Sequence, residues 1–376
     1  MDIKQTKATK LAYSNLRSIL MESIYLKYGK DYTRPTQIYG VLTNRCNLKC
    51  KMCYYWRKEP TEIPASYWIK ALISLRKFTG FYHINLSGGE PLIKKDIFDI
   101  LQACQENDIS VGITTNGFLL NKNRVDKLID NNIFNINISI DSMDENIHDK
   151  MRGIPGMHSR IMTNIDYLME KKTKADHNTR VILKTIVCKD NLDGLDKVVE
   201  YAKHLGLTGV EFQPIMEWTE DSVEMMDINP VFLEDKIGRL IQMKQDGDPI
   251  LNSVDVFKEG VQVYKENYEL THSEIQSKVE REEVCDSSTN KNNQRQCSVP
   301  LRNIFIDSNG DVALCPDVPS KIGNIKDCEI GEMWTSERTK KLRATLVNCR
   351  RKCYAACTVK RNLRDYYELF KRFSNI

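Results

Sequence analysis

The sequence predicts an α/β fold, a partial (β/α)6 TIM-type barrel followed by a small C-terminal α+β domain. Short β-rich runs alternate with helix-length amphipathic segments through the first two thirds of the 376 residues, which is the pattern of βα units on a parallel sheet. Six such runs can be placed, too few for a closed barrel of eight. A polar stretch, Ser287-Ser288-Thr289-Asn290-Lys291-Asn292-Asn293, then separates this part from a terminal segment with a turn at Ser308-Asn309-Gly310-Asp311.

Taken in order, residues 8–29 place Leu16, Ile19, Leu20, Ile24 and Leu26 at helical spacing, so a covering helix is expected, with a membrane-surface helix as the alternative. Strands are expected near 38–43, 83–87, 110–115, 134–141, 181–187 and 209–213, and helices near 65–78, 95–106, 122–131, 158–171 and 193–205. Residues 216 to 284 read as helical and charged, with breaks at Pro230 and Pro249. Two short strands should flank the turn at 308–311, and a further helix should start near Thr335 or Ser336. No internal repeat is visible.

The composition is that of a globular protein, 41% apolar and 28% charged, and a net charge of +4 sets no global field. The first residues lack an apolar signal core and no run reaches about 18 apolar residues, so a cytoplasmic protein with no membrane partner is expected. In a reducing compartment twelve cysteines point away from disulfides and toward metal or cluster ligation wherever they are grouped.

Three thiols are grouped in Thr43-Asn44-Arg45-Cys46-Asn47-Leu48-Lys49-Cys50-Lys51-Met52-Cys53-Tyr54, directly after the first strand. Soft thiolates suit an iron–sulfur cluster, and three ligands on a four-iron cubane leave one iron open. A zinc site is the alternative, although the paired knuckles typical of zinc modules are missing. The Cys-x3-Cys-x2-Cys spacing after a first strand resembles the defining motif of the radical S-adenosylmethionine (radical SAM) superfamily. That resemblance implies a 4Fe-4S cluster on Cys46, Cys50 and Cys53 whose open iron is chelated by the methionine moiety of the cofactor. It also implies reductive cleavage to a 5′-deoxyadenosyl radical that abstracts hydrogen.

Three further stretches fit the same family in order. Ser87-Gly88-Gly89-Glu90-Pro91 resembles its Gly-Gly-Glu-Pro motif, in which glycines allow close approach to a ligand and Glu90 would accept from an ammonium group. Thr114-Thr115-Asn116-Gly117 and Ser139-Ile140-Asp141 end the third and fourth strands, where Thr115, Asn116, Ser139 and Asp141 would hold a ribose. By the same resemblance Arg152 would pair the methionine carboxylate and Pro214 would touch adenine. In isolation Gly88 and Gly89 could form a plain tight turn, and Ser139 and Asp141 a helix cap.

Downstream, Cys297, Cys315, Cys349, Cys353 and Cys357 resemble the auxiliary-cluster extension called SPASM, or its shortened form, twitch. Seven cysteines are available if Cys285 and Cys328 count, but the Cys-x2-Cys pair of the full pattern is absent. One auxiliary 4Fe-4S cluster is therefore expected, on Cys297, Cys315, Cys353 and Cys357, with Cys349 in reserve. A zinc ribbon is the alternative. Cys104 reads as a buried core thiol, whereas Cys188, after the fifth strand, is either a core thiol or a hydrogen donor to a substrate radical.

Four parts are expected: an N-terminal helical segment at 1–35, a radical SAM core at 36–220, a helical bridge at 221–284 and the SPASM/twitch domain at 285–376. From Ser336 to Phe373 twelve Lys or Arg face three Asp or Glu. Such a tail could dock a flavodoxin- or ferredoxin-type electron donor, an acidic peptide or nucleic acid, or could be a solvated helix face. The expected activity is hydrogen abstraction from a small sugar- or nucleoside-like metabolite, giving oxidation, rearrangement or epimerisation. Roughly thirty-five residues before the first strand leave little room for a peptide-recognition domain, so maturation of a ribosomal peptide is the alternative. A non-catalytic iron–sulfur or zinc protein binding nucleic acid is the rival from another class.

Overall fold

The computed structural model describes residues 6–216, 219–268 and 296–349. Six parallel strands follow one another, β1 (Gln37–Val41), β2 (His83–Ser87), β3 (Ser110–Thr115), β4 (Asn135–Ser139), β5 (Arg180–Val187) and β6 (Gly209–Pro214). Between them run α2 (Ala65–Thr79), α3 (Ile97–Glu106), α4 (Lys122–Asp130), α5 (Glu145–Arg152), α6 (Met157–Lys174) and α7 (Leu195–His204). Ile38, Ile84, Leu86, Ile113, Ile136, Leu183, Val210 and Phe212 are buried on the strands, and Trp68, Leu72, Leu75, Ile100 and Leu101 bury apolar stripes of the helices. The period of two along each strand is thus joined to the 3.6 period of each helix by one continuous core.

The sheet does not close. Its order is β6-β5-β4-β3-β2-β1-β7-β8-β9, with β7 (Asn303–Ile306), β8 (Asp311–Ala313) and β9 (Lys321–Asn324) added beyond β1. β7 runs parallel to β1 and stacks Phe305 on Tyr39 at 5.0 Å, so the C-terminal strands extend the barrel sheet itself. The expected turn is there: Gly310 has φ +87°, and Asp307 accepts from Asn309 N and Asp311 N. β9 had no sequence signal strong enough to expect it.

The N-terminal helix, α1 (Lys7–Tyr28), forms where expected but packs by a different face. Leu16 and Leu20 are 59% and 56% exposed, while Ser14, Ser18 and Glu22 are buried. Ser14 Oγ donates to Phe81 O at 2.7 Å and Arg17 to Thr79 O, so docking is by polar contacts. After β6 come α8 (Glu220–Met226), α9 (Pro230–Gln245) and α10 (Val254–Tyr268). Pro230 starts α9 at a position where its missing N–H costs nothing, capped by Asn229. Among the described residues the last helices are α11 (Val299–Arg302), α12 (Ile330–Thr335) and α13 (Glu337–Val347), the last capped by Ser336 as expected. No described helix is long and apolar enough to cross a membrane.

Candidate cluster and cofactor site

Cys46, Cys50 and Cys53 leave the C-terminal end of β1 on one short loop, and Cys53 N donates to Cys50 O at 3.2 Å. Cys50 and Cys53 act electrostatically on Cys46, and Cys53 on Cys50. Burial pushes Cys46 up to about 12 and raises Cys50, so both are neutral thiols until a metal displaces the proton. N–H groups already point at the sulfurs: Leu48 N lies 3.4 Å and Asn116 Nδ2 4.0 Å from Cys46 Sγ, and Arg152 Nη1 4.0 Å from Cys50 Sγ. Beside them the buried Asn47 Nδ2 has no partner. Three soft ligands, N–H groups around them and an unsatisfied amide fit an iron–sulfur cluster with a ligand on it.

The glycine loop does something other than what its composition suggests. A Cβ on Gly88 would lie 2.4 Å from Thr43 O, and one on Gly89 2.3 Å from Arg45 O. The close approach is therefore to the cysteine loop, locked by Gly89 N to Thr43 O at 2.8 Å and Glu90 N to Arg45 O at 2.9 Å. Glu90 was expected to meet an ammonium group. Its carboxylate is fully buried and accepts from Thr115 Oγ1 and Asn116 N, both at 2.8 Å, and from Leu92 N at 3.1 Å. Burial raises it to about 7 despite these bonds. In this arrangement Glu90 braces the end of β3 against the cysteine loop.

Asp141 and Arg152 are likewise joined to each other. Arg152 Nε donates to Asp141 Oδ2 at 2.6 Å, and Ile186 N donates to Oδ1 at 3.1 Å. Burial works to lower the Arg152 pKa, but Asp141 and Cys50 outweigh it and raise it. α5, which carries Arg152 in its last turn, was not expected; Asp144 caps its start, and Gly153 ends it with φ +79°. A Cβ at Gly153 would lie 2.9 Å from Lys49 O, so this glycine too lets an element touch the cysteine loop. Ser139 faces the lumen next to Lys184 in register. Pro214 lines a small, mainly apolar cleft with Val187, Phe212, Phe257 and Tyr264.

Cys188, read as either a core thiol or a hydrogen donor, sits in the core. It is 0% exposed, with its Sγ 3.9 Å from Met151 Sδ, and cannot hand hydrogen to a substrate without leaving the core. Cys104 is buried as expected. In the C-terminal part, Cys297 interacts with Cys349 and Cys315 with Cys297. Cys297 N bonds Val347 O at 2.8 Å, which seats it at the end of α13 beside Cys349. Cys349, held in reserve on spacing, thus lies near Cys297. Cys328 is exposed, and Cys285, Cys353 and Cys357 lie outside the described residues. Arg343 from the basic tail is buried, paired with Asp31 at 2.9 Å and stacked on Trp334, so it serves packing.

The inward face of the strands carries a polar layer that the sequence reading left unremarked. Asn137 Nδ2 donates to Asn85 Oδ1 and Thr114 Oγ1 at 3.1 and 3.0 Å, and Asn135 Nδ2 to Asn137 Oδ1 at 3.0 Å. Lys184 pairs with Glu211 on the neighbouring strand. Tyr39, Asn85, Ser139 and Lys184 keep partial solvent access although strands flank them on both sides, as does Gln213 on the edge strand β6. The lumen is therefore open and polar. The signal was present: single polar residues at alternate positions of otherwise apolar strands.

Residues 41–211 match the model of the radical SAM superfamily, and residues 297–358 match that of an iron–sulfur cluster-binding domain, SPASM. The chain is 27% identical to an AdoMet-dependent heme synthase of Methanosarcina barkeri over 82% of this chain and 85% of that one. It is 30% identical to a GTP 3′,8-cyclase of Thermodesulfovibrio yellowstonii over 58% of this chain and 68% of that one. Its fold is similar to that of Streptococcus suis SuiB bound to the precursor peptide SuiA, with a TM-score of 0.63, 18% identity and coverage of 90% and 75% of the two chains.

Proposed function

The chain belongs to the radical S-adenosylmethionine superfamily and carries a SPASM auxiliary-cluster domain, and from that premise we propose that it abstracts hydrogen from an unactivated C–H of a polar, sugar- or nucleoside-like small molecule held in the barrel lumen. Cys46, Cys50 and Cys53 would hold a 4Fe-4S cluster, which with S-adenosylmethionine would supply radical hydrogen-abstraction chemistry on one-electron reduction. The observation that carries the substrate reading is the polar layer of Asn85, Thr114, Asn137, Lys184 and Glu211, partly open at Asn85, Thr114 and Lys184. Amide, hydroxyl and paired charged groups there match a hydroxyl-rich molecule, and their mutual bonds hold them in place before it arrives.

The chain's residues divide the work in this reading. Gly88 and Gly89 press the glycine loop on the cysteine loop, Glu90 fixes Thr115 and Asn116, and Asp141 holds Arg152 against Cys50. Asn116, Ser139 and Arg152 are left to meet the cofactor's polar groups, and Pro214 its apolar ring. Cys297, Cys315 and Cys349, with Cys353 or Cys357, would hold one auxiliary cluster, and the boundaries 36–220, 221–284 and 285–376 describe the parts. A peptide substrate is the second reading, favoured by the structural likeness to a peptide-bound neighbour.

Anaerobic reconstitution followed by S-adenosylmethionine and dithionite should yield 5′-deoxyadenosine. None from a fully iron-loaded protein would overturn the reading. Stimulation of that yield by synthetic peptides and by no sugar or nucleoside would replace the first substrate class with the second.

A further inference from the structure

The outer side of the cysteine loop is basic and aromatic. From Arg45 to Lys58 the chain has five cations, Arg45, Lys49, Lys51, Arg57 and Lys58, and no acidic residue; all five are exposed. Arg57 is tied to Asp221 at 3.0 Å, and Glu224 acts on Lys51. At the centre is Trp56. Its Nε1 donates to the carbonyl of Cys50 at 3.0 Å, and Arg57 and Lys49 sit 4.4 and 5.9 Å from its ring, while Lys58 lies 4.3 Å from the Tyr54 ring. One side chain thus reaches from the charged surface to the backbone of a cluster ligand.

We propose that this surface is where an acidic one-electron donor protein docks, with Trp56 bridging the contact to the cluster through Cys50. The proposal rests on the reading of Cys46, Cys50 and Cys53 as cluster ligands. Electron tunnelling weakens steeply with distance, so a donor must sit where the wall over the cluster is thin, and the cysteine loop is that wall. Clustered like charge steers an opposite partner there and makes its arrival salt-dependent. One electron leaves the donor's reduced flavin and one enters the cluster, whose charge falls by one; no bond is made or broken. The described part of the basic tail is a poorer fit, since Arg343 is buried and Lys340 is paired with Glu337.

The test follows bleaching of the cluster absorbance when the reconstituted protein is mixed with reduced flavodoxin, and separately with dithionite. Lys49→Glu with Lys51→Glu should slow reduction by flavodoxin about tenfold or more at low salt and flatten its salt dependence. Arg338→Glu with Lys341→Glu on α13 should leave it unchanged. Dithionite, a small reductant, should reduce both variants and the parent alike, which shows that the cluster is intact. An unchanged flavodoxin rate in the loop variant, or a loss confined to the α13 variant, overturns the proposal. Failure of dithionite to bleach any of the proteins would instead sink the cluster reading.

Discussion

Arg152 Nε lies 2.6 Å from Asp141 Oδ2 with both side chains buried, so two residues expected to face the cofactor separately form one unit beside Cys50. Removing one partner strands a buried charge. Asp141→Ala should cost about 3–5 kcal/mol of stability, and Asp141→Leu with Arg152→Met should recover much of that. Urea denaturation of the three proteins measures it; a double variant no better than the single would show that the pair is not coupled.

Gly89→Ala should spare the fold and lose the cluster. The new Cβ would overlap Arg45 O, and relief requires the cysteine loop to shift. Iron at the Cys46 site should drop several-fold with circular dichroism unchanged. Gly238→Ala, in open space within α9, should instead be stabilising by about 0.5–1 kcal/mol.

Cys53→Ala should abolish 5′-deoxyadenosine formation. Cys315→Ala should leave slow cleavage of S-adenosylmethionine, lower the iron content and stop turnover of the true substrate. Full turnover by Cys315→Ala would remove the auxiliary cluster from the reaction.

Burial lowers the pKa of His148 from 6.5 to about 4, aided by Arg152 and His158 and opposed by Asp141. The unfolded chain therefore binds the extra proton first as pH falls. Stability from this neutral imidazole is fully present above about 6.5 and drains away toward pH 4, in all by roughly 3 kcal/mol. His148→Asn keeps an acceptor for Asp141 N, which the imidazole Nδ1 now bonds at 3.2 Å. Its urea midpoint should fall less between pH 7 and 5 than that of the parent.

Lys184→Met removes the ion pair with Glu211 in the lumen. Turnover of the true substrate should fall at least tenfold while dithionite-driven cleavage of S-adenosylmethionine continues without it. A kcat/KM equal to that of the parent would take Lys184 out of substrate recognition.

The order of six strands and of the helices between them other than α5 was legible in the sequence, because alternation and helical spacing are local properties. So were Cys46, Cys50 and Cys53, whose grouping is a matter of eight consecutive residues. Sequence spacing misjudged α1, because which face docks depends on Phe81 and Thr79 offering carbonyls some sixty residues away. Only the tertiary structure decided that β7 would join β1, that Glu90 would hold Asn116, that Arg152 would meet Asp141 and that Cys188 would be sealed against Met151. Each of those outcomes is a contact between chain segments that local periodicity does not encode; the first three arise because a buried charge or strand edge must find a partner wherever the fold supplies one, and the last because apolar sulfurs pack in the core.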